Sequence, residues 1–189
     1  MKLIIGLGNP GTEYLRSRHN AGFLCLDFLQ TVLNFEPFIV DKKMSALTAS
    51  GTIGNHKVLL VKPETFMNNS GAAVLALLQF YKLTPADIVV IHDDLDIAPG
   101  TYKTTASSRS AGHNGVEDII DRLGTQDFLR IRLGIGRPAR NASRSDAGES
   151  AEVMGACMPS HDFVLQNFSA EELTALTGLF PKVQEDTLL

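Results

Sequence analysis

The chain of 189 residues contains no tryptophan, two cysteines and three tyrosines. Cys25 and Cys157 are far apart and fit neither a zinc-ligand spacing nor a disulfide framework, so we expect reduced thiols. No apolar run approaches the roughly 18 residues of a membrane-spanning helix. These absences favour a cytoplasmic protein that has no membrane partner.

The chain also lacks an excess of positive charge, since its formal net charge is −4. The charge is uneven, however. Residues 1–144 hold 16 Lys and Arg against 13 acids, whereas residues 145–189 hold one Lys and 8 acids. A mildly basic body is compatible with a nucleic-acid ligand, but the overall charge does not by itself indicate one.

Short apolar runs alternate with stretches of helical periodicity. The predicted strands are 2–5, 45–53, 57–61, 88–91, 102–105 and 129–135, and the predicted helices are 21–33, 71–81, 115–123 and 170–179. This alternation predicts an α/β fold with a mixed, mostly parallel twisted sheet and helices on both faces. We expect residues 1–189 to form a single domain.

One segment, residues 137–159, is irregular and rich in Ser, Ala, Gly and charged residues. Such a composition buries little apolar surface, and it leaves two interpretations open. The segment is either a mobile loop or a lid over a site.

Polar residues collect where the predicted strands end. Asn9 and His19 follow the first strand, Asn68 follows the run 57–61, and Asp93 follows the run 88–91, while Asn114 precedes the third helix. Ligands of open α/β sheets bind beyond the carboxyl ends of the strands. We therefore expect these loops to form one site.

The motif GLGNPG at residues 6–11 matches the spacing of a dinucleotide-binding loop. That site also needs a carboxylate about 20 residues further on and a helix that starts at the third glycine. The chain provides neither, so we expect no dinucleotide. The run His92-Asp93-Asp94-Leu95-Asp96 offers metal ligands, but alternate strand residues point to opposite faces, and we expect no metal or other cofactor.

An acid–base site fits these loops better. A histidine serves as a base near neutral pH when a carboxylate fixes its tautomer, and His19 and Asp93 are predicted at the same edge. The chain has no G-x-S-x-G nucleophile motif, which leaves water as the nucleophile. Asn9, Asn68 and Asn114 are neutral donors able to polarise a carbonyl and hold an oxyanion.

Six segments together resemble the bacterial-type peptidyl-tRNA hydrolase family. They are GLGNPGTEYLRSRHNAGF (6–23), KPETFMNNSG (62–71), IVVIHDDLDIAPG (88–100), SAGHNGVEDII (110–120), LGTQDFLRIRLGIGRP (123–138) and FVLQNFSAEE (163–172). The resemblance implies an enzyme that cleaves the ester between a peptide and the 3′ end of tRNA without a cofactor. It also implies a cytoplasmic monomer that contacts the acceptor stem and 3′ end.

The resemblance also implies a role for each matching residue. His19 corresponds to the general base, Asp93 to the carboxylate that orients it, and Asn9, Asn68 and Asn114 to the amides that position substrate and stabilise the intermediate. Further substrate-lining residues implied by the match are Tyr14, Asn20, Phe66, Met67, Gly112 and His113.

A basic clamp for the tRNA 5′-phosphate is implied as well, and here the chain departs from the family. The segment before SAGHNG, usually glycine-rich and basic, reads KTTASSRS. It leaves Lys103 and Arg109, together with Arg132 of the following strand, as the clamp candidates. The alternative function is that of a non-catalytic RNA-binding relative, similar to a splicing factor with this fold.

Overall fold

The structure, a computed structural model, describes residues 1–138 and 158–187. The strands are β1 (Lys2–Gly6), β2 (Ile39–Asp41), β3 (Ala46–Ile53), β4 (His56–Pro63), β5 (Ile88–Asp94), β6 (Tyr102–Ala106) and β7 (Leu129–Gly134). The helices are α1 (Ala21–Val32), α2 (Ser70–Tyr81), α3 (Asn114–Leu123), α4 (Ser160–Leu165), α5 (Ala170–Thr177) and α6 (Phe180–Thr187). The segment 137–159, where a loop or lid is expected, lies outside the described residues except at its two ends.

The strands form one seven-stranded sheet in the order β2-β3-β4-β1-β5-β7-β6. The central strands β4, β1, β5 and β7 run parallel, whereas β2, β3 and β6 join antiparallel at the two edges. The α/β class with a mixed sheet is thus confirmed, but the sheet is not mostly parallel, because only the three central pairs are parallel and the three outer pairs are antiparallel. Because the parallel strands share one direction, their carboxyl ends meet at one edge of the sheet.

Helices cover both faces of this sheet, as predicted. Ile4 of β1 packs in one apolar cluster with Leu26 of α1, while its neighbour Leu3 packs in a second cluster with Val74 of α2 and Ile119 of α3. Central strands buried on both faces read as continuous apolar runs, which is why β1 and β5 are recognisable in the sequence. None of the described helices is long and apolar enough to cross a bilayer.

The sequence prediction missed three elements. Strand β2 is an edge strand of three residues, too short for an alternating pattern to show. The predicted helix 170–179 is shorter, because α5 ends at Thr177 and a separate helix α6 follows. Helix α4 has only six residues and gives no clear periodicity.

The turn after β1 brings α1 against the sheet. Gly11 has a φ of 117°, which L side chains rarely adopt, and α1 begins only at Ala21 rather than at this glycine. A Cβ on Gly22 would lie 2.4 Å from the carbonyl oxygen of Ile91 and 2.5 Å from the amide nitrogen of Leu7. This close approach places the turn before α1, which carries His19, at the carboxyl edge of β1 and β5.

Candidate functional site

A cleft of about 520 Å³ opens at this carboxyl edge. Nine residues predicted from the sequence line it: Asn9, His19, Phe66, Met67, Asn68, Asp93, Gly112, His113 and Asn114. They come from different segments of the chain, so the expected convergence of loops is observed. Asp93 differs in one respect, since it lies within β5 rather than in the loop that follows.

Two histidines converge on one oxygen of Asp93 at the base of the cleft. His19 Nδ1 lies 2.9 Å and His113 Nε2 lies 3.0 Å from Asp93 Oδ1. A carboxylate only accepts hydrogen bonds, so each of these nitrogens carries a hydrogen. His19 is therefore held as the tautomer whose Nε2 has a free lone pair.

Burial and charge act in opposite directions on this pair. Burial lowers the pKa of His19, but the Asp93 charge and hydrogen bond raise it by more, so it lies above its ordinary value of 6.5. Burial raises the pKa of Asp93, yet the charges of His19 and His113 and their hydrogen bonds bring it well below its ordinary value of 3.8. Asp93 is thus ionised at neutral pH and stabilises a proton on His19.

A third histidine, His92, packs against His113, whereas the sequence had indicated it only as a possible metal ligand. It is fully buried, and its Nδ1 donates to the carbonyl oxygen of Asp93 at 2.7 Å. Its ring lies edge-on to His113, with centroids 4.6 Å apart. Two causes hold the pKa of His92 well below its ordinary value: burial, which is the larger, and the charge of the nearby His113. His92 therefore stays neutral.

His19, Asp93 and His113 form the one group of possible metal ligands among the described residues, with ligand atoms within 4.8 Å of one another. The hydrogen bonds of the His113 ring favour a hydrogen, rather than a metal ion, between His113 and Asp93. The backbone N–H of Val116 donates to His113 Nδ1 at 3.3 Å, so the hydrogen of this ring is on Nε2. A metal on Nε2 would shift that hydrogen to Nδ1, where it would oppose the Val116 N–H. The geometry favours proton transfer.

The amide of Asn9 is oriented by its neighbours. Its Oδ1 accepts from the backbone N–H of Met67 at 2.8 Å, which leaves Nδ2 as a donor at the cleft. Asn20 fixes the backbone of Asn9 from behind, because its Oδ1 accepts from Asn9 N at 2.9 Å and its Nδ2 donates to Asn9 O at 3.0 Å. Asn20 is only 1% exposed and does not line the cleft.

Asn68 and Asn114 stand at the starts of helices. Asn68 lies in the short 3-10 turn Met67–Asn69 that leads into α2, and Asn114 is the first residue of α3. Asn20 and Asn69 occupy the N-cap positions of α1 and α2 but make no cap hydrogen bond with their side chains. The N-cap of α3 is His113 rather than Asn114. Asn68 and Asn114 are both exposed at the cleft.

The clamp candidates lie beside the cleft rather than in it. Lys103 and Arg132 face each other across the antiparallel pair β6–β7, so both side chains are on one face of the sheet. Arg132 Nε donates to Asp94 Oδ2 at 2.7 Å, and Asp94 itself lines the cleft. Arg109 lies in the next loop, where its carbonyl oxygen accepts from the buried Arg130 at 3.1 Å.

Tyr14, like Asn20, does not line the cleft, and it lies half-buried in the turn Thr12–Tyr14. Eight lining residues were missed: Asp94, Leu95, Ser110, Ala111, Ser160, His161, Val164 and Leu165. The first four lie inside the segments 88–100 and 110–120, next to residues that were predicted, so their position in the sequence could have indicated them. The other four belong to α4, and in the sequence analysis only the segment FVLQNFSAEE (163–172) overlaps this helix.

The chain is similar to known proteins along nearly its whole length. The family model described as Peptidyl-tRNA hydrolase matches residues 3–188. The peptidyl-tRNA hydrolase of Desulfitobacterium hafniense (strain Y51) is 43% identical over 184 residues, which cover 96% of this chain and 88% of that protein. The peptidyl-tRNA hydrolase of Brevibacillus brevis is 48% identical over 146 residues, which cover 77% of this chain and 76% of that protein.

Solved structures agree with these matches. A peptidyl-tRNA hydrolase in complex with N-propanol superposes with a TM-score of 0.86 at 32% identity, covering 100% of this chain and 87% of that chain. The enzyme from Acinetobacter baumannii gives a TM-score of 0.84 at 32% identity, covering 98% and 85%. The similarity to named hydrolases does not favour the non-catalytic alternative. The chain belongs to the peptidyl-tRNA hydrolase family.

Proposed function

We propose that His19 is the general base with which this protein hydrolyses the ester bond of peptidyl-tRNA, and that Asp93 orients it. The observation that carries this proposal is the 2.9 Å hydrogen bond from His19 Nδ1 to Asp93 Oδ1. It fixes the tautomer that leaves a basic nitrogen free at a cleft large enough for a substrate end.

In the proposed reaction, His19 Nε2 removes a proton from water, and the resulting hydroxide attacks the ester carbonyl carbon. The tetrahedral intermediate collapses as the bond to the ribose oxygen breaks. The protonated His19 returns its proton to that oxygen, which leaves tRNA and a peptide carboxylic acid that releases its proton to solvent. Asp93 stays ionised and stabilises the imidazolium between the two steps.

The three asparagines supply donors around the reacting carbonyl. Asn9 presents Nδ2, because its Oδ1 is taken by the Met67 amide. Asn68 and Asn114 lie at helix starts, where the aligned backbone dipoles also favour negative charge. A donor of this kind stabilises an oxyanion by about 3 kcal/mol.

The remaining substrate contacts are proposed from the residues that line the cleft and from membership of the family. Phe66 is 61% exposed at the cleft, and with Met67 it offers an apolar surface to the terminal base or the peptide. The cleft lies at the edge of one seven-stranded sheet, which supports a single domain, and membership of the family supports a monomer that binds the acceptor stem and 3′ end. A role in translation supports a cytoplasmic location.

The pH dependence of kcat/KM tests the base assignment. Protonated His19 cannot accept a proton, so kcat/KM should fall about tenfold per pH unit below the pKa of His19. That pKa lies above 6.5, because the Asp93 charge and hydrogen bond outweigh burial. Initial rates on N-acetylaminoacyl-tRNA, with folding checked by circular dichroism at each pH, give the profile. A profile without an acid limb over the range of about pH 5–8 in which a histidine titrates would contradict the assignment.

Arg132→Ala tests the phosphate clamp. The variant should raise KM about tenfold for tRNA that carries a 5′-phosphate, because a hydrogen bond to a charged group contributes about 1.5–3 kcal/mol. The same tRNA with a 5′-hydroxyl should show little change. The salt dependence of binding should also weaken by about one phosphate contact.

Lys57→Ala is the matched control for the loss of one positive charge, because Lys57 is exposed at the amino end of β4, away from the cleft. Equal losses on the two tRNA forms with Arg132→Ala would remove Arg132 from the clamp.

A further inference from the structure

Helix α4 forms one wall of the cleft but is held outside the two main apolar clusters. Its residues Phe163 and Val164 pack in a small third cluster with Ile135, against Leu95 and Phe168. A helix of six residues has little stability of its own, so its position depends on its tertiary contacts. The polar contacts of α4 therefore matter more than those of α1 or α2.

The side chain of Arg18 contacts both α4 and the next helix, α5. Its Nη2 donates to both carboxylate oxygens of Glu172 in α5, at 3.0 and 2.8 Å, and its Nη1 donates to the carbonyl oxygen of Phe163 at 3.4 Å. The guanidinium also lies 4.2 Å from the centroid of the Phe163 ring. Arg18 is only 8% exposed, so these contacts are shielded from water.

Arg18 directly precedes the proposed base in the same short turn, Arg18–Asn20. The backbone around it is tied to the same segment. Arg18 N–H donates to the carbonyl oxygen of Gln166 at 2.9 Å, and Phe168 N–H donates to that of Arg16 at 2.9 Å. The side chain of Arg18 and the backbone of residues 16–18 thus join the turn that carries His19 to the segment of α4, which forms one wall of the cleft.

We propose that Arg18 is a positioning residue that sets the α4 wall relative to His19, and thereby determines affinity for the substrate end in the cleft. The proposal rests on the proposed function of His19. Arg18 holds Glu172 through Nη2 and the Phe163 carbonyl through Nη1, while its guanidinium lies over the Phe163 ring. A lysine has a single nitrogen and no planar group, so it cannot make these three contacts at once. Four lining residues depend on this link: Ser160, His161, Val164 and Leu165.

Arg18→Lys and Glu172→Gln test the proposal from its two sides. Each should raise KM for N-acetylaminoacyl-tRNA about tenfold while kcat changes by less than about twofold, because binding contacts move and the reacting groups do not. The acid limb of the pH profile should stay in place, since the pair of His19 and Asp93 is untouched. The Kd of a 3′-amide analogue, which is not cleaved, should rise in parallel with KM.

Two controls separate positioning from loss of stability. Glu171→Gln changes the neighbouring carboxylate, which accepts from Ser169 rather than from Arg18. Asp27→Asn breaks the ion pair with the buried Lys62, which does not line the cleft. Both controls should keep wild-type KM, and thermal unfolding shows how far each variant is destabilised.

The proposal is overturned if Arg18→Lys lowers kcat at unchanged KM, if it leaves both constants at wild-type values, or if Asp27→Asn raises KM equally. A failure of the base assignment gives a different result, since His19→Ala would then retain activity. Even if His19 is not the base, the Kd of the amide analogue can be measured without turnover, and it still shows whether Arg18 affects binding.

Discussion

His19→Ala is expected to lower kcat on peptidyl-tRNA by about 10³-fold, within the range of about 10²–10⁴ that a positioned base contributes. The variant removes the one lone pair that the hydrogen bond to Asp93 leaves free for water. It does not remove the cleft, because the lining residues Asn9, Asn68 and Asn114 stay in place. KM should therefore change much less than kcat.

His56→Ala is the matched control, because His56 is an exposed histidine at the amino end of β4. It should keep wild-type kcat, while added imidazole should restore part of the activity of His19→Ala. The measurement is single-turnover release of N-acetylamino acid from tRNA, with the melting temperature of each variant recorded. Cleavage by His19→Ala at near the wild-type rate would remove His19 as the base.

The central sheet could be predicted because its residues obey one rule. Strands buried on both faces are continuously apolar, and β1 and β5 show this plainly. Edge strand β2 follows no such rule, since Ile39 and Val40 are exposed and only three residues pair. Its place depends on β3, which the sequence around it does not reveal.

The site divides in the same way. Asn9, His19 and Asp93 could be predicted to meet, because parallel strands bring their carboxyl ends to one edge. Whether an asparagine faces the substrate depends on its hydrogen-bond partners. Asn9 and Asn20 have the same side chain, yet Asn9 faces the cleft and Asn20 holds the backbone of Asn9. A local pattern does not encode that difference.

The role of the third helix start was also hidden in the sequence. The motif SAGHNG indicates a helix N-terminus, and asparagine is the usual capping residue there. In the fold, His113 caps α3 through Nδ1 and donates to Asp93 through Nε2. One residue thus ends a loop and orients the carboxylate, and only the tertiary contact with Asp93 distinguishes it from Asn114.

Asp93→Asn is expected to lower kcat by about 10³–10⁴-fold, the size seen when a base loses the carboxylate that fixes its tautomer. An asparagine amide can donate to His19 Nδ1, which would place the ring hydrogen on Nε2 and remove the lone pair that faces water. The residual activity should also have a shifted pH profile. Burial lowers the pKa of His19, and the Asp93 charge that offsets this effect is lost in the variant. The acid limb should therefore move to lower pH.

The double variant His19→Ala/Asp93→Asn tests whether the two residues act as one unit. If Asp93 acts through His19, the double variant should be no more than a few-fold slower than the slower single variant, because the second change removes nothing that still operates. Multiplied losses would mean that Asp93 contributes independently of His19.

Asp121→Asn, which changes an exposed carboxylate on α3, is the control for the change of charge in Asp93→Asn and should keep wild-type kcat. An acid limb that stays in place in Asp93→Asn would contradict the assignment of that limb to His19, since Asp93 is the group that raises the His19 pKa.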